Sequence, residues 1–468
     1  MTGKRKRKLA MPDTLIIVAS VVLLVAILSW IIPSGTYDYQ EMNINGRIRN
    51  VAIDGTYHTI DKSEVTTTGF LGFFSVLYRG CVEAADVIFM ILCCCGTFGV
   101  VVKTGAFHAG IGTILKKLKG KEILLVPIIM MIFGLGGSVF GMASEFYGFY
   151  PLIVGLGVAL GYDAMFGFAI IAVGEFVGFM GATLNPYSVG IAQTISGVEL
   201  YSGTGYRAIC FVIFMAISII YVMVYGRKIK KNPGASVVFG EKNIHAFDRD
   251  ELNEYSFTLK DGLVLLDVLV VLVVLMLGLI KWGWDFPQLC GLFLLMSIIA
   301  AAICKWSPNK WCSEFIDSAK TAMWGCILTG IAKAITVVMQ DAQIMDTVIY
   351  GLSNVLKNAP HAVSAQVMLV VQTLINFFIP SATGQASATM PIMAQLADII
   401  GVSRQTAVLA FQFGDGLSNI FWPTADIVII CGLGGISLQK WYKWFTPLFL
   451  ILFVTQAILL GIATGIGF

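Results

Sequence analysis

Charge is what this sequence has least of. Only 13% of its 468 residues are Asp, Glu, Lys or Arg, about half the roughly 25% of an ordinary soluble domain. So few charges cannot clothe a water-facing surface of this size, which excludes a soluble globular protein. Histidine is scarce as well: His58, His108, His245 and His361 fall in loops or at the ends of apolar runs and form no ligand cluster. The ten cysteines are scattered without CxxC spacing, which argues against a disulfide framework or a metal site. Cys93, Cys94 and Cys95 lie inside an apolar run, where thiols pack as small hydrophobes. No G-x-S-x-G, H-E-x-x-H or Walker sequence occurs, and no large soluble segment could hydrolyse ATP. With no nucleophile–base pair to assemble, the chain does not read as an enzyme. Its net charge of +3 comes from basic residues beside apolar runs, a topology signal and not a nucleic-acid surface.

Apolar residues fill the space that charge leaves. They make up 57% of the chain, and the mean hydropathy is +0.83. Runs of about 20 apolar residues, enough to cross a ~30 Å bilayer core, recur throughout. The fold class expected is an all-α polytopic membrane protein. Residues 14–32 follow the basic run at 4–8 and lack an A-x-A cleavage pattern, so they read as an uncleaved first span with a cytoplasmic N-terminus. A polar loop at 33–68, with short strands around 48–60, should lie outside. Residues 69–80 read as an interfacial helix and 84–102 as a span returning inward. The stretches 122–136 and 146–160 are too short to cross comfortably and flank a turn sequence, as a re-entrant hairpin would. A helix at 164–180 then breaks over 181–186 and resumes at 187–195. The basic loop 227–260 is cytoplasmic by the positive-inside rule and separates two halves. In the second half, 263–280 and 288–304 are spans, 315–339 is a third, and 344–356 is interfacial. Two short runs, 362–379 and 389–400, surround Pro380, and 406–419 breaks through 414–424 before resuming at 425–433. Residues 444–466 exit the membrane, leaving the C-terminus outside.

The halves repeat one another. Pro391, Gly401 and Gly414 each stand 240 positions after Pro151, Gly161 and Gly174. Beyond the break the offset is 237 for Pro423 against Pro186, and 238 for Leu438 against Leu200. Counting spans gives the copies opposite orientations, the pattern of inverted-repeat secondary transporters. The chain divides into first-half scaffold spans (1–120), a transport unit of hairpin plus broken helix (121–203), and a span with basic linker (204–260). Second-half scaffold spans (261–358), a second transport unit (359–439) and a last span (440–468) complete it. A multi-pass protein of the inner, cytoplasmic membrane is expected, with a small molecule and the bilayer as partners and no nucleic acid.

Broken helices expose carbonyls that coordinate cations and N–H groups that take anions. Gly181, Thr183 and Asn185 in the first copy, with Gly414, Ser418, Asn419 and Thr424 in the second, offer the oxygens a Na⁺ site would use. The same polar side chains can instead satisfy the broken backbone alone. No other cofactor is expected. Intramembrane carboxylates are costly and mark functional sites. Asp163 reads as a helix cap, whereas Glu145 lies at the first hairpin tip, with Gln385 as its counterpart. Glu175 precedes the first break, with Asp415 as its counterpart on the face of Ser418, Asn419 and Trp422. Glu83 and Asp86 belong to the scaffold, and Lys333 should pair with a carboxylate. No Arg lies in either broken-helix region; Arg207 and Arg404 sit at membrane edges. A cavity of carboxylates, amides and aromatics (Tyr147, Tyr150, Tyr187, Phe413, Trp422) favours a substrate with an amine, a cationic amino acid first, its carboxylate held by helix N-termini. A dicarboxylate site would favour Arg. A channel is the other non-enzyme reading, less suited to two half-sites with acidic partners.

Four motifs carry a family likeness. Gly-Met-Ala-Ser-Glu at 141–145, Gly-Ala-Thr-Leu-Asn-Pro at 181–186, Pro-Ser-x-x-Gly-Gln-Ala at 380–386 and the long run from Val402 to Asn419 together resemble the YfcC family. That family is grouped with the C4-dicarboxylate anaerobic carriers in the ion transporter superfamily, and the likeness covers nearly the whole chain. It implies an elevator-type fold, a scaffold that forms a homodimer, and hairpin tips and helix breaks that hold sodium and substrate. Carried over onto matching positions, it points to Ser144 and Glu145 with 181–185, and to Ser381, Thr383 and Gln385 with 414–419. The tips here read Ala-Ser-Glu and Ala-Thr-Gly-Gln where the divalent-anion/sodium symporters have Ser-Asn-Thr. The family labels offer dicarboxylates on one hand and basic amino acids or arginine/ornithine exchange on the other. The expected function is a secondary carrier of a small organic solute, coupled to Na⁺, H⁺ or exchange.

Overall fold

Asp13 accepts a hydrogen bond from the Leu15 amide at 2.8 Å and opens the first span, α1 (Thr14–Ile31). The computed structural model describes residues 13–44, 47–118, 122–241, 245, 257–357 and 363–468. Expectations resting on the basic run at 4–8, on Lys119 and Lys121, on His361 and on the linker at 242–244 and 246–256 lie outside these residues. After α1 the polar loop forms two small antiparallel ribbons, β1 (Ser34–Thr36) with β4 (His58–Ile60) and β2 (Tyr39–Ile44) with β3 (Arg47–Ala52). Strands β3 and β4 fall where short strands were expected, whereas β1 and β2 precede that stretch; among the described residues no other strand occurs.

The scaffold follows as α2 (Phe70–Glu83), α3 (Ala85–Lys103) and α4 (Ala106–Leu118). In the second half come α10 (Leu259–Lys281), α11 (Phe286–Ile303), α12 (Pro308–Lys320), α13 (Met323–Asp341) and α14 (Met345–Lys357). Capping boxes built by Thr258 with Asp261 and by Asp285 with Gln288 start α10 and α11. The single span expected over 315–339 is instead two helices. Ser307 caps α12, which is polar on most faces, and the chain turns at Thr321, whose hydroxyl satisfies the Ser318 carbonyl at 2.7 Å. Helix α13 packs along α1 and α2, and α3 packs on α11 and α12. Among the described residues seven helices are long and apolar enough to cross a membrane: α1, α3, α10, α11, α13, α9 (Thr204–Lys231) and α19 (Leu438–Gly465).

Between these lie two units with one order of elements. The first runs α5 (Leu125–Leu135), a π-helical turn at Gly136–Phe140, α6 (Phe149–Ala159), α7 (Ala164–Met180) and, after a gap, α8 (Val189–Ile195). The second runs α15 (Ser364–Phe378), α16 (Ala382–Ile399), α17 (Arg404–Ser418) and, after a gap, α18 (Asp426–Gly434). Asp163 caps α7 and Ser403 caps α17, each by accepting from the amide three residues on. Two boundaries differ from expectation. Helix α16 begins at Ala382, because Ser381 caps it, so the second tip is only Ile379–Ser381. Helix α17 continues through Gly414 and Gly416 to Ser418, so the second break lies at 419–425. Gly416 is there for packing: a Cβ on it would stand 2.4 Å from Met180 Cα. The units interlock where α17 crosses α7 and α16 meets α8.

Candidate functional site

The first break is tied to the π-helical turn of the first hairpin. Ser138 Oγ donates to the Gly181 carbonyl at 3.0 Å, and the amides of Thr183 and Leu184 donate to the Ser138 carbonyl at 2.9 and 3.2 Å. Asn185 donates to the Gly137 carbonyl at 3.2 Å and accepts from the amides of Tyr187 and Ser188 at 2.9 and 3.1 Å. From the other unit, Gln412 Nε2 donates to the carbonyls of Met180 and Ala182 at 2.9 and 2.8 Å. The broken backbone is thus closed by side chains from both halves, as buried backbone groups require.

The second break has its own network. Asn376 Nδ2 on α15 donates toward Asp415 Oδ1 at 3.0 Å, Gln385 Oε1 at 3.1 Å and Asn419 Oδ1 at 3.2 Å. Gln385 in turn donates to the Gln372 carbonyl and side chain at 2.9 and 2.7 Å. Ser418 Oγ donates to the Gly414 carbonyl at 2.5 Å and Thr424 Oγ1 to the Phe377 carbonyl at 2.7 Å. Trp441 and Tyr442 of α19 satisfy the carbonyls of Ile420 and Phe421 at 2.8 and 2.7 Å. Asp415 is buried and its Oδ2 has no partner among the described residues.

Two cavities open beside the hairpin tips. One of about 390 Å³ is lined by Ser144, Glu145, Tyr187, Asp285, Ser381, Thr383 and Asp426, with the apolar wall of Phe179, Trp284 and Phe286. A larger one of about 530 Å³ shares Ser144, Phe286, Ser381 and Asp426 and adds Thr424 and the scaffold residues Glu83, Thr329 and Lys333. Among the described residues, the first is lined by three carboxylates and no Lys, Arg or His. In the second, Lys333 Nζ stands 4.0 Å from Glu83 Oε1, the pairing expected of it. Asp426 accepts from Tyr147 Oη at 2.9 Å, and Glu145 Oε2 accepts from the Ala143 amide at 3.0 Å. Thr383 Oγ1 donates to the Tyr187 carbonyl at 3.1 Å, so the second hairpin touches the first break.

A family model described as DcuC, the C4-dicarboxylate anaerobic carrier, matches residues 11–465. The chain belongs to the DcuC carrier family. A curated protein of Escherichia coli (strain K12) named "Putative basic amino acid antiporter YfcC" is 32% identical to it, over 100% of this chain and 99% of its own length. An "Uncharacterized protein" of Haemophilus influenzae is 27% identical over 99% of each. Among solved structures, the YdaH transporter of Alcanivorax borkumensis is 15% identical, with a TM-score of 0.44 over 98% of this chain and 99% of its own. MtrF of Neisseria gonorrhoeae is 15% identical, with a TM-score of 0.43 over 97% and 96%. Membership makes the protein a multi-pass membrane transporter of a small molecule, in a family of carriers and not of enzymes.

In this DcuC member the residues singled out from the sequence separate into three groups. Ser144, Glu145, Ser381 and Thr383 line the smaller cavity, and Thr424 the larger. Thr183, Asn185, Gln385, Asp415, Ser418 and Asn419 are buried within the hydrogen-bonded breaks and line neither cavity. Glu175 stands apart, fully buried against Tyr150 Oη at 2.8 Å. Tyr147 and Tyr187 face the cavities, but Tyr150 and Phe413 belong to the core, Phe413 packed edge-on to Phe214. Arg207 is not at an edge: it is fully buried, with its guanidinium on Gln412 Oε1 and, at 3.3 Å, on Gln405 Oε1. It therefore orients the amide that closes the first break. Asn376, Gln412 and Asp426 were missed. Each is a lone polar side chain inside an apolar run, the signal that had marked Glu175 and Asp415.

Proposed function

We propose that this carrier moves a cationic amino acid such as arginine, lysine or ornithine, bound between the hairpin tips and the scaffold. The observation that carries this reading is the acid lining of the smaller cavity, to which Glu145, Asp285 and Asp426 contribute three carboxylates. A dicarboxylate there would face like charges at close range, whereas an ammonium or guanidinium gains charge-assisted hydrogen bonds. The α-carboxylate has a place at the N-terminus of α16, whose first residues Ala382 and Thr383 line the same cavity. The name carried by YfcC, a basic amino acid antiporter, agrees with this chemistry.

The cavities are bounded on one side by tips and breaks and on the other by α2, α11 and α13. A transport domain formed by the two repeated units, inverted in the membrane and sliding against a dimeric scaffold, would carry its substrate with the tips. Such an elevator is coupled to an ion gradient or to exchange, in a bacterial inner membrane. A C4-dicarboxylate is the second reading, favoured by the family description and by Lys333 on the larger cavity wall. Uptake of labelled arginine, lysine, ornithine, succinate and fumarate into proteoliposomes separates the two. Saturable uptake of the basic amino acids alone supports the first reading, and uptake of the dicarboxylates alone overturns it.

A further inference from the structure

We propose that Glu175 is the proton-binding group of this carrier, linked to the substrate cavity through Tyr150, Tyr147 and Asp426, so that a proton leaves as a cationic substrate arrives. This rests on the cationic-substrate reading above. Glu175 is fully buried, accepts one hydrogen bond from Tyr150 Oη at 2.8 Å, and leaves Oε1 without a partner among the described residues. The titratable groups that act on it are Tyr150 on α6, Asp426 on α18 and Glu145 at the first tip, none of them a cation. An ionised carboxylate with one donor and no counter-charge is among the costliest groups to bury. A proton on Oε1 removes the buried charge and leaves in its place one O–H donor, a far smaller cost.

Several break carbonyls that a sodium ion would use already accept a hydrogen bond. A cation bound by a break uses oxygens whose lone pairs are free and converge. Here the Gly181 carbonyl accepts from Ser138, those of Met180 and Ala182 accept from Gln412, and Asn185 Oδ1 accepts from two amides. The Gly414 carbonyl accepts from Ser418, and that of Asn419 from the Ile427 amide. Among the described residues, the acceptors left without a donor include Glu175 Oε1 in the first unit and Asp415 Oδ2 and Asn376 Oδ1 in the second.

Two tyrosines lie between Glu175 and the cavity. Tyr147 ends the short 3-10 turn before α6 and Tyr150 lies in the first turn of α6, its amide donating to the Tyr147 carbonyl at 3.3 Å. Tyr150 holds Glu175 in the core, and Tyr147 holds Asp426, 2.9 Å away on the wall of both cavities. A cation arriving beside Asp426 and Glu145 stabilises the anionic form of Glu175, and the proton on Oε1 is released. The charge that enters replaces the charge that leaves, so the buried site keeps its net charge. By linkage, a proton on Glu175 weakens the cation to the same degree. Tyr150 is a positioning residue in this scheme.

The test has two arms. Infrared pH-difference spectra of the purified protein, without substrate, should contain a protonated carboxyl band at neutral pH. That band should vanish in Glu175→Gln and shift its midpoint in Tyr150→Phe. In sodium-free proteoliposomes with a trapped pH dye, arginine entry should drive protons outward, and Glu175→Gln should lower the ratio of protons to arginine moved at least tenfold. No Glu175-dependent band, protons entering with arginine, or an unchanged ratio in the variant overturns the proposal. Should succinate be carried in place of arginine, the substrate reading and the exchange of charges fail together, while the infrared band still decides whether Glu175 holds the proton.

Discussion

Asn376 Nδ2 lies 3.0 Å from Asp415 Oδ1, and the same nitrogen also faces acceptors on Gln385 and Asn419. One amide nitrogen has two hydrogens, so three buried acceptors compete for two donors. Asp415→Asn keeps the side chain's shape and adds N–H groups to a network short of them. The variant should fold, melting within a few degrees of the parent, and lose uptake more than tenfold. Full uptake by a folded Asp415→Asn protein would make the carboxylate structural. Asn376→Leu removes this donor from all three acceptors, leaving Asp415 Oδ1 only the Asn419 amide at 3.5 Å, and should cost about 1–3 kcal/mol in stability, seen as a lowered melting temperature.

Removing a carboxylate from the smaller cavity should weaken a cation. Glu145→Gln and Asp426→Asn each delete a charge-assisted contact worth about 1.5–3 kcal/mol, or roughly 10- to 100-fold in affinity. The concentration dependence of arginine uptake should show KM raised by that factor in each variant. An unchanged KM in both would place the substrate elsewhere.

Arg207 and Gln412 should behave as one unit. The guanidinium fixes the Gln412 carbonyl oxygen, and so aims its Nε2 at the Met180 and Ala182 carbonyls. Arg207→Met and Gln412→Leu each leave buried partners unmatched, and the double variant should cost less than the two single changes summed. A coupling of about 1 kcal/mol or more is expected from such contact; additive losses in thermal unfolding would separate the two residues.

Much of this architecture was legible in the spacing of residues. The 240-residue offset placed both capped helices, since Asp163 and Ser403 open α7 and α17. The short apolar helices on either side of the π-helical turn were legible as runs too short to span. Arg207 was not, because a basic residue at the start of an apolar run has the same pattern whether it faces lipid headgroups or packs against α17. The end of α17 was misplaced because Gly414 and Gly416 have the composition of a break, yet serve close helix contact. Local sequence records what the backbone can do, and tertiary contact selects among the options. The oxygens nominated for sodium were found by residue type, whereas their hydrogen-bond partners come from distant elements: Ser138 from the hairpin, Gln412 from the opposite unit.

That close contact makes its own prediction. Gly416→Ala places a Cβ 2.4 Å from Met180 Cα and 2.5 Å from its amide nitrogen. Both neighbours are backbone, so α17 must move away from the first break. A loss of about 1–3 kcal/mol is expected from such overpacking, measured by thermal unfolding in detergent. An unaltered melting temperature would mean that α7 and α17 shift against each other freely.

The central claim is a cation-seeking site in a family described for dicarboxylates. It is tested most directly by uptake of labelled arginine and labelled succinate, side by side, into proteoliposomes of the wild-type protein. Saturable arginine uptake that lysine and ornithine inhibit and succinate does not is the predicted result. Saturable succinate uptake without any arginine uptake would contradict it.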